Sequence, residues 1–375
     1  VLLTVGKSRE SNARIQLKAK ARRGERKNSA ATIADVARRA GVSPMTVSRV
    51  VNGESNVRAA TRERVTAAIA ALKYMPNQAA RRLAGSRIIR IAVLYSNPSA
   101  GYLNALLVGV LNGSSITHTQ LVVERCETGE LEVARGLVTG GIDGVILPPP
   151  LCDSPRLIDL VVKSGTPAIA LASGAPDKRI CAIGIDDYGA AFQMTRHLIS
   201  LGHRRIGFIM GHPNQTASAR RLAGFKDAMK GAGLELPDRM MSQGMFNYRS
   251  GLDAAEALLA VEPRPTAIFA SNDDMAAASV AVAHRVGLDV PGDLTVAGFD
   301  DATLATTIWP ELTTVHQPIS DMASAAVEVL VRQIRARRAG EAGPPEHMIM
   351  DFSLIRRQSD AAPRVRPPVA RVKHA

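Results

Sequence analysis

Residues 32–53 read TIADVARRAGVSPMTVSRVVNG. Two short helical patterns meet at one glycine, with a hydroxyl residue before each. Thr32 precedes an apolar-periodic run and Asp35 stands three residues on, the spacing of a capping box with Thr32 as N-cap. Ile33, Val36, Ala37 and Ala40 then share one helical face. Gly41 supplies the positive φ that ends a helix. Ser43 caps the next helix, and Pro44 takes its first position, where a missing N–H costs nothing. Val47, Val50 and Val51 face inward, and Asn52-Gly53 stops the run. Small Ala37, turning Gly41 and inward Val47 have the spacing of a helix-turn-helix: the alanine lets two helices approach, the glycine turns the chain and the valine fills the junction. A third amphipathic segment, TRERVTAAIAALKY (61–74), places Val65, Ala68, Ile69 and Leu72 on one stripe. The expectation is a three-helix head over residues 31–75.

In such a unit the second helix enters the major groove of DNA. Its outward face carries Pro44, Met45, Ser48 and Arg49. An arginine grips the O6/N7 edge of guanine with two bonds, while a methionine makes only apolar contacts, for instance to a thymine methyl. Ser43, Thr46 and Ser48, with the helix N-terminus, suit phosphates. Thr32 and Asn52 complete the head's candidate DNA contacts. A plain helical hairpin has no need of an arginine and three hydroxyls on one exposed face.

Charge agrees with this reading. The chain of 375 residues carries a net +13, unevenly spread. Residues 1–90 hold 20 Lys/Arg against 5 Asp/Glu, residues 356–375 hold 6 against 1, and the remaining body is therefore at −7. A basic head on an acidic body points to a polyanion at one end only.

The string TIADVARRAGVSPMTVSRVVNG, followed by YMPNQAARRLAG (74–85) and IRIAVLYS (89–96), resembles the lactose-repressor/galactose-repressor (LacI/GalR) family of bacterial transcription factors. The resemblance runs from Thr32 to about Gln358. It implies that PNQAARRLAG is a hinge (76–88) that folds into a short helix on operator DNA, pairing with its mate from a second chain in the minor groove. Asn77, Ala80 and Leu83 are its implied DNA contacts, with Leu83 the wedge that opens the central base step. The sequence permits this, since Arg81, Arg82 and Arg87 are there to neutralise phosphates around an apolar wedge. A helix this short is marginal alone, so ordering on DNA is physically sensible.

From Ile89 on, apolar runs alternate with helical stretches. The strand candidates are IRIAVLYS, QLVVERC, GVILPP, PAIALA, RIGFIMG, TAIFASN and LTVAGFD. Buried strands alternating with helices predict parallel sheets covered on both faces. The fold class is therefore α/β: a three-helix head and a two-lobed body of doubly wound parallel sheets, like that of periplasmic binding proteins. The expected body spans 89–359, with one lobe from 89–187 plus 318–345 and the other from 188–317 plus 346–359. Basic tails, 1–30 and 360–375, are expected to be disordered.

Ligands bind such lobes at the carboxyl ends of the strands. Polar residues gather there: Ser96 and Asn97, Asp186 and Asp187, Asn272 and Asp273, Asp300 and Asp301. That pattern resembles a rim for a polyhydroxyl ligand. The family resemblance implies that Arg221 anchors the effector, that Asn272 and Asp300 bond to it, and that Phe246 covers it. Tyr102 matches a pocket wall, Gln317 a hinge-crossing pocket position, and Asp186 and Asp187 the family's paired polar position, with the choice between the two open.

Three scattered cysteines, Cys126, Cys152 and Cys181, form no CxxC or Cys/His cluster. They read as reduced thiols in a cytoplasmic protein, with no metal and no cofactor. No stretch of 18 apolar residues exists, so no membrane span is expected. The N-terminal segment lacks a signal-peptide core, though its composition also mimics a transit peptide. A sugar-processing enzyme would need a nucleophile, base or metal motif, and none appears; His203 shows no partner in the sequence. The expected partners are pseudo-palindromic double-stranded operator DNA, a carbohydrate or sugar-acid effector, and a second copy of the chain. A purine corepressor is the alternative, weakened because Leu103 stands where purine-binding relatives have a second aromatic. The proline-rich end without leucine heptads predicts a dimer rather than a tetramer.

Overall fold

In the computed structural model, residues 32–51, 57–72, 88–126, 129–341 and 343–364 are described. Asn52, Asn77, Ala80 and Leu83, and the hinge up to residue 87, lie outside them. The chain divides into two units between Arg87 and Ile88.

Among its described residues the first unit has three helices: α1 (Ile33–Ala40), α2 (Pro44–Val51) and α3 (Ala59–Leu72). Thr32 and Asp35 form the reciprocal capping box, and Gly41 ends α1 at φ 64° with its N–H bonded to the Ala37 carbonyl. Ser43 accepts the Thr46 N–H at 3.2 Å and opens α2. Val36, Ala37, Ala40, Val47, Val65 and Ala68 form the core, with Ile33, Val50, Val51, Ile69 and Leu72 packed around it. Helix α3 begins two residues earlier than its periodicity predicts.

The second unit contains two six-stranded sheets. In the first, strands run β11-β5-β4-β3-β1-β2, with β1 Arg90–Tyr95, β2 Gln120–Arg125, β3 Gly144–Leu147, β4 Ala168–Leu171, β5 Cys181–Ile185 and β11 His347–Met350. All its pairings are parallel. The second runs β12-β10-β9-β8-β6-β7, with β6 Ile206–Met210, β7 Met241–Gln243, β8 Ala267–Ala270, β9 Thr295–Asp300, β10 Thr313–His316 and β12 Ser353–Ile355. Only β12 pairs antiparallel. Helices α4 (Ala100–Thr117), α5 (Glu130–Thr139), α6 (Pro155–Ser164) and α12 (Ile319–Ala339) flank the first sheet. The second is flanked by α7 (Asp187–Ser200), α8 (Thr216–Gly231), α9 (Tyr248–Leu259) and α10 (Asp273–Arg285), with the short α11 (Leu304–Thr307) at its edge. Helices α4 and α12 pack so closely that a Cβ on Gly113 would lie 2.8 Å from the Ser324 carbonyl oxygen.

The chain crosses between lobes three times: between β5 and α7, between β10 and α12, and between β11 and β12. The third crossing falls after Met350, so residues 346–350 belong to the first lobe and not, as expected, to the second. The reason is pairing: β11 extends the first sheet alongside β5, from His347↔Ala182 to Met350↔Ile185. The tail also begins later than residue 360. Asp360 is buried, accepting from Thr313 Oγ1 at 2.8 Å and bonding His197 Nε2 at 2.6 Å. His203, without a visible partner in sequence, bonds the Ala361 carbonyl through Nε2 at 2.8 Å and Thr266 Oγ1 through Nδ1 at 2.9 Å. Burial lowers its pKa, which favours the neutral ring that donates on one nitrogen and accepts on the other.

Candidate functional site

On the head, α2 turns Val47 inward and leaves Pro44, Met45 and Arg49 exposed, with Thr46 and Ser48 half-buried. Met45, at 64% exposure, is a large apolar side chain with no core to cover it. The hydroxyls of Ser43 and Thr46 bond each other at 2.9 Å at the start of α2. The Thr32 hydroxyl donates to Asp35 at 2.7 Å, so it serves first to hold the start of α1.

The body's site lies between the lobes. Strand β9 ends in Asp300, α8 carries Arg221 one turn from its start, and α10 opens on its N-cap Asn272. The first and second crossings bring in Asp187 and Gln317. Around these, Asn97, Ser99, Tyr102, Pro149, Ala172, Gln215, Ala217 and Phe246 complete the lining of a small cavity. Arg221 is the hub. Its Nε donates to Asp187 Oδ1 at 2.8 Å, its Nη1 donates to the Ser271 carbonyl at 2.6 Å, and Asp300 lies 3.8 Å away. The guanidinium sits 3.5 Å from the Phe299 ring centroid and 5.8 Å from that of Phe246. Burial pushes the Asp300 carboxyl up to about 7 against the pull of Arg221, and burial likewise raises Asp187. Of five non-glycine residues with positive φ among the described residues, Ala172, Phe246 and Asp300 line this one cavity. Backbone strain of this kind collects where a ligand is gripped.

The free volume is about 20 Å³, room for about one water, so the cleft is shut. Two hydrogen-bonded clasps cross it. Ser99 Oγ of the first lobe donates to Asp274 of the second at 2.5 Å. Asp153 of the first lobe accepts from the Thr216 N–H at 2.8 Å and the Thr216 hydroxyl at 2.9 Å, at the start of the helix that carries Arg221.

Tyr102, Arg221, Phe246, Asn272, Asp300 and Gln317 are thus brought together, with Asp187 directly behind Arg221. Asp186 is not: it is exposed and caps α7, accepting the Gly189 N–H at 3.0 Å. Asp186 is the N-cap and Asp187 the first residue of α7, so the first spends its carboxylate on the helix start while the second turns inward to Arg221. Asn272 also spends its Oδ1 on a cap, accepting the Met275 N–H at 3.1 Å. Ser99 and Asp153 carried no signal in the sequence, because each finds its partner on the other lobe.

Residues 32–77 match the family described as bacterial regulatory proteins, lacI family, and residues 195–359 match the periplasmic binding protein-like domain. The HTH-type transcriptional regulator CelR of Thermobifida fusca is 35% identical over 337 residues, covering 88% of this chain and 98% of that protein. The chain belongs to the LacI family of bacterial transcriptional regulators. The ribose operon repressor of Escherichia coli K12 is 34% identical over 310 residues, 81% of this chain and 93% of the repressor. Among solved structures, a CelR–cellobiose complex superposes with a TM-score of 0.68 at 32% identity, covering 88% of this chain and all of that one. A lac repressor dimer bound to operator and an anti-inducer superposes at 0.71 with 28% identity, covering 89% and 100%. As a LacI-family regulator the protein is a DNA-binding transcription factor and not an enzyme. Among the described residues, no helix is long and apolar enough to cross a membrane.

Proposed function

We propose that this LacI-family protein is a dimeric repressor whose operator affinity is set by a sugar bound between its two lobes. One observation carries the reading: Arg221, Asp187, Asp300 and Gln317 form a buried polar hub where two of the three lobe crossings meet. A ligand seated there bears on the angle between the lobes, the property an allosteric body has to transmit. The relatives that bind cellobiose or regulate a ribose operon support a sugar. Two heads then read two half-sites, so the operator is pseudo-palindromic like the dimer. Arg49 reads a base edge, and Pro44 and Met45 set the preference of this particular protein. The hinge residues Asn77, Ala80 and Leu83 engage the minor groove.

The experiment pairs operator binding with effector titration. Arg49→Ala costs about 1–3 kcal/mol of operator affinity and relaxes one base position. A sugar that stabilises the protein also changes its operator affinity, and by linkage the operator changes sugar affinity by the same factor. A sugar that binds tightly in the cleft with no effect on operator affinity overturns the regulatory coupling.

A further inference from the structure

The cleft takes up the carboxyl ends of the strands. Their N-terminal ends, on the far side of the first lobe, are where the chain that carries the head enters, at Ile88 directly before β1. Helices α6 and α12 run back along the sheet and end on this same side, because each leads into a parallel strand, β4 and β11. Asp143, directly before β3, ties the entry to α12: it accepts the Arg90 N–H at 2.9 Å and Arg338 Nη2 at 2.7 Å. Arg337 lies against the end of α6, where a Cβ on Gly165 would stand 3.0 Å from its Nη2.

Charge separates the two sides. Residues 91–355 sum to −7, and acid collects at the cleft in Asp187, Asp273, Asp274 and Asp300. The entry side is the reverse. Arg179 is matched there by Asp159 and Asp177, Arg332 by Glu346 and Arg338 by Asp143. Lys163 at the end of α6, and Arg335 and Arg337 at the end of α12, are exposed and form no ion pair among the described residues. Arg90 donates to the Gly140 carbonyl at 3.2 Å and keeps its full charge. Against these stands the exposed carboxylate of Glu341. The helix dipoles offset about half a charge at each C-terminus, which leaves this side net positive.

We infer that this side of the first lobe is a second DNA-binding surface, on which Lys163, Arg335 and Arg337 contact duplex phosphates beyond those the head engages. The inference rests on DNA binding by the head, which the family establishes. Tether and charge both point to DNA. A duplex held by the head stays within reach of the entry point, because residues 73–87 span at most about 50 Å even fully extended. At the local concentration this sets, a few weak phosphate contacts add measurably to affinity. The three cations stand on two helices and are spread over the side of the lobe. That arrangement suits a line of phosphates and not a single small anion. Lysine and arginine contacts to phosphate are independent of sequence, so the surface adds affinity and carries no base preference.

The test is binding of the full-length protein to a mixed-sequence duplex of about 40 base pairs, read by fluorescence anisotropy across a salt series. In a Lys163→Ala/Arg335→Ala/Arg337→Ala variant, affinity near about 0.1 M salt is expected to fall at least about tenfold. The slope of log K against log salt is expected to shrink by about 2–3, near one per lost phosphate contact. A Lys226→Ala/Lys230→Ala/Arg249→Ala variant removes the same charge from exposed positions of the second lobe and is expected to change affinity less than about twofold. All these side chains are exposed, and thermal melts matching the parent confirm that both variants fold. The loss in the first-lobe variant is equal on every sequence, whereas Arg49→Ala acts at one base position, so failure of the head's assignment is told apart from failure of this one. A first-lobe variant with the parent's affinity and slope overturns the inference. An equal loss in both variants reports overall charge and overturns it too. A first-lobe variant that keeps DNA binding and instead loses the parent's affinity for poly-glutamate assigns the surface to an acidic protein, with the same consequence.

Discussion

Arg221 shows how a single side chain of the proposed site also holds the fold together. Its guanidinium neutralises Asp187 and closes on a backbone carbonyl, all within the second lobe. Arg221→Ala therefore does more than remove a proposed ligand contact, since it leaves a buried carboxylate unpaired. The expected loss is about 3–5 kcal/mol of stability, read by urea or thermal denaturation. A variant as stable as the parent sinks the assignment of Arg221 as structural hub. Asp300 makes the opposite kind of prediction. In an unfolded chain its carboxyl ionises near 3.8; in the fold burial moves it to about 7. Between these values the folded state keeps a proton that the unfolded state has lost, so stability from this group is full below 3.8 and is lost as pH rises to about 7. Asp300→Asn removes that slope, and the variant gains on the parent when melts at pH 8 are compared with melts at pH 5. Parallel profiles for the two proteins argue against it.

At the scale of elements, the sequence was legible wherever an element is held by its own residues. The caps, the turn at Gly41 and the inward valines of the head all lie within 22 consecutive residues, and each appears in the structure as its local chemistry requires. Six strands with unbroken apolar runs, β1, β3, β4, β6, β8 and β9, read just as directly, and β2 was found despite its exposed face. Five others did not. Strand β10 carries Thr313 and Thr314, polar residues that are buried because Asp360 and Asp273 receive their hydroxyls. Strand β11 is largely exposed and exists by pairing with β5. In each case the decisive partner stands about 40 to 165 residues away, beyond any local pattern. The same holds for the segment after Ser359, whose basic, proline-rich composition hides an anchor. Asp360→Ala removes the acceptor shared by Thr313, His197 and Arg356. It is expected to free residues 361–364 to proteolysis and to lower stability by about 1–3 kcal/mol for the stranded donors. Unchanged melting and unchanged proteolysis after this substitution rule out the anchoring role.

At the scale of the whole molecule, the proposed recognition of an operator by two heads requires a second chain, and the body leaves large apolar side chains exposed that would suit one. On α4, Val108, Leu111 and Ile116 are 45%, 58% and 65% exposed, and Val123 on edge strand β2 is 40% exposed. Scattered exposed apolar residues are ordinary, but these stand on two packed elements of one lobe, where exposed apolar groups are candidates for an interface. Trp309, the sole tryptophan of the chain, is 75% exposed on the second lobe, and exposed tryptophans often serve as interface anchors. Leu111→Arg puts a charge in the α4 patch. The expected result is a monomer by light scattering at micromolar concentration, with operator affinity reduced at least about 100-fold as the two heads lose their mutual tether. A Leu111→Arg protein that remains dimeric and binds operator as the parent does would move the interface off α4, and the effector's route to DNA would have to run through another face of the first lobe.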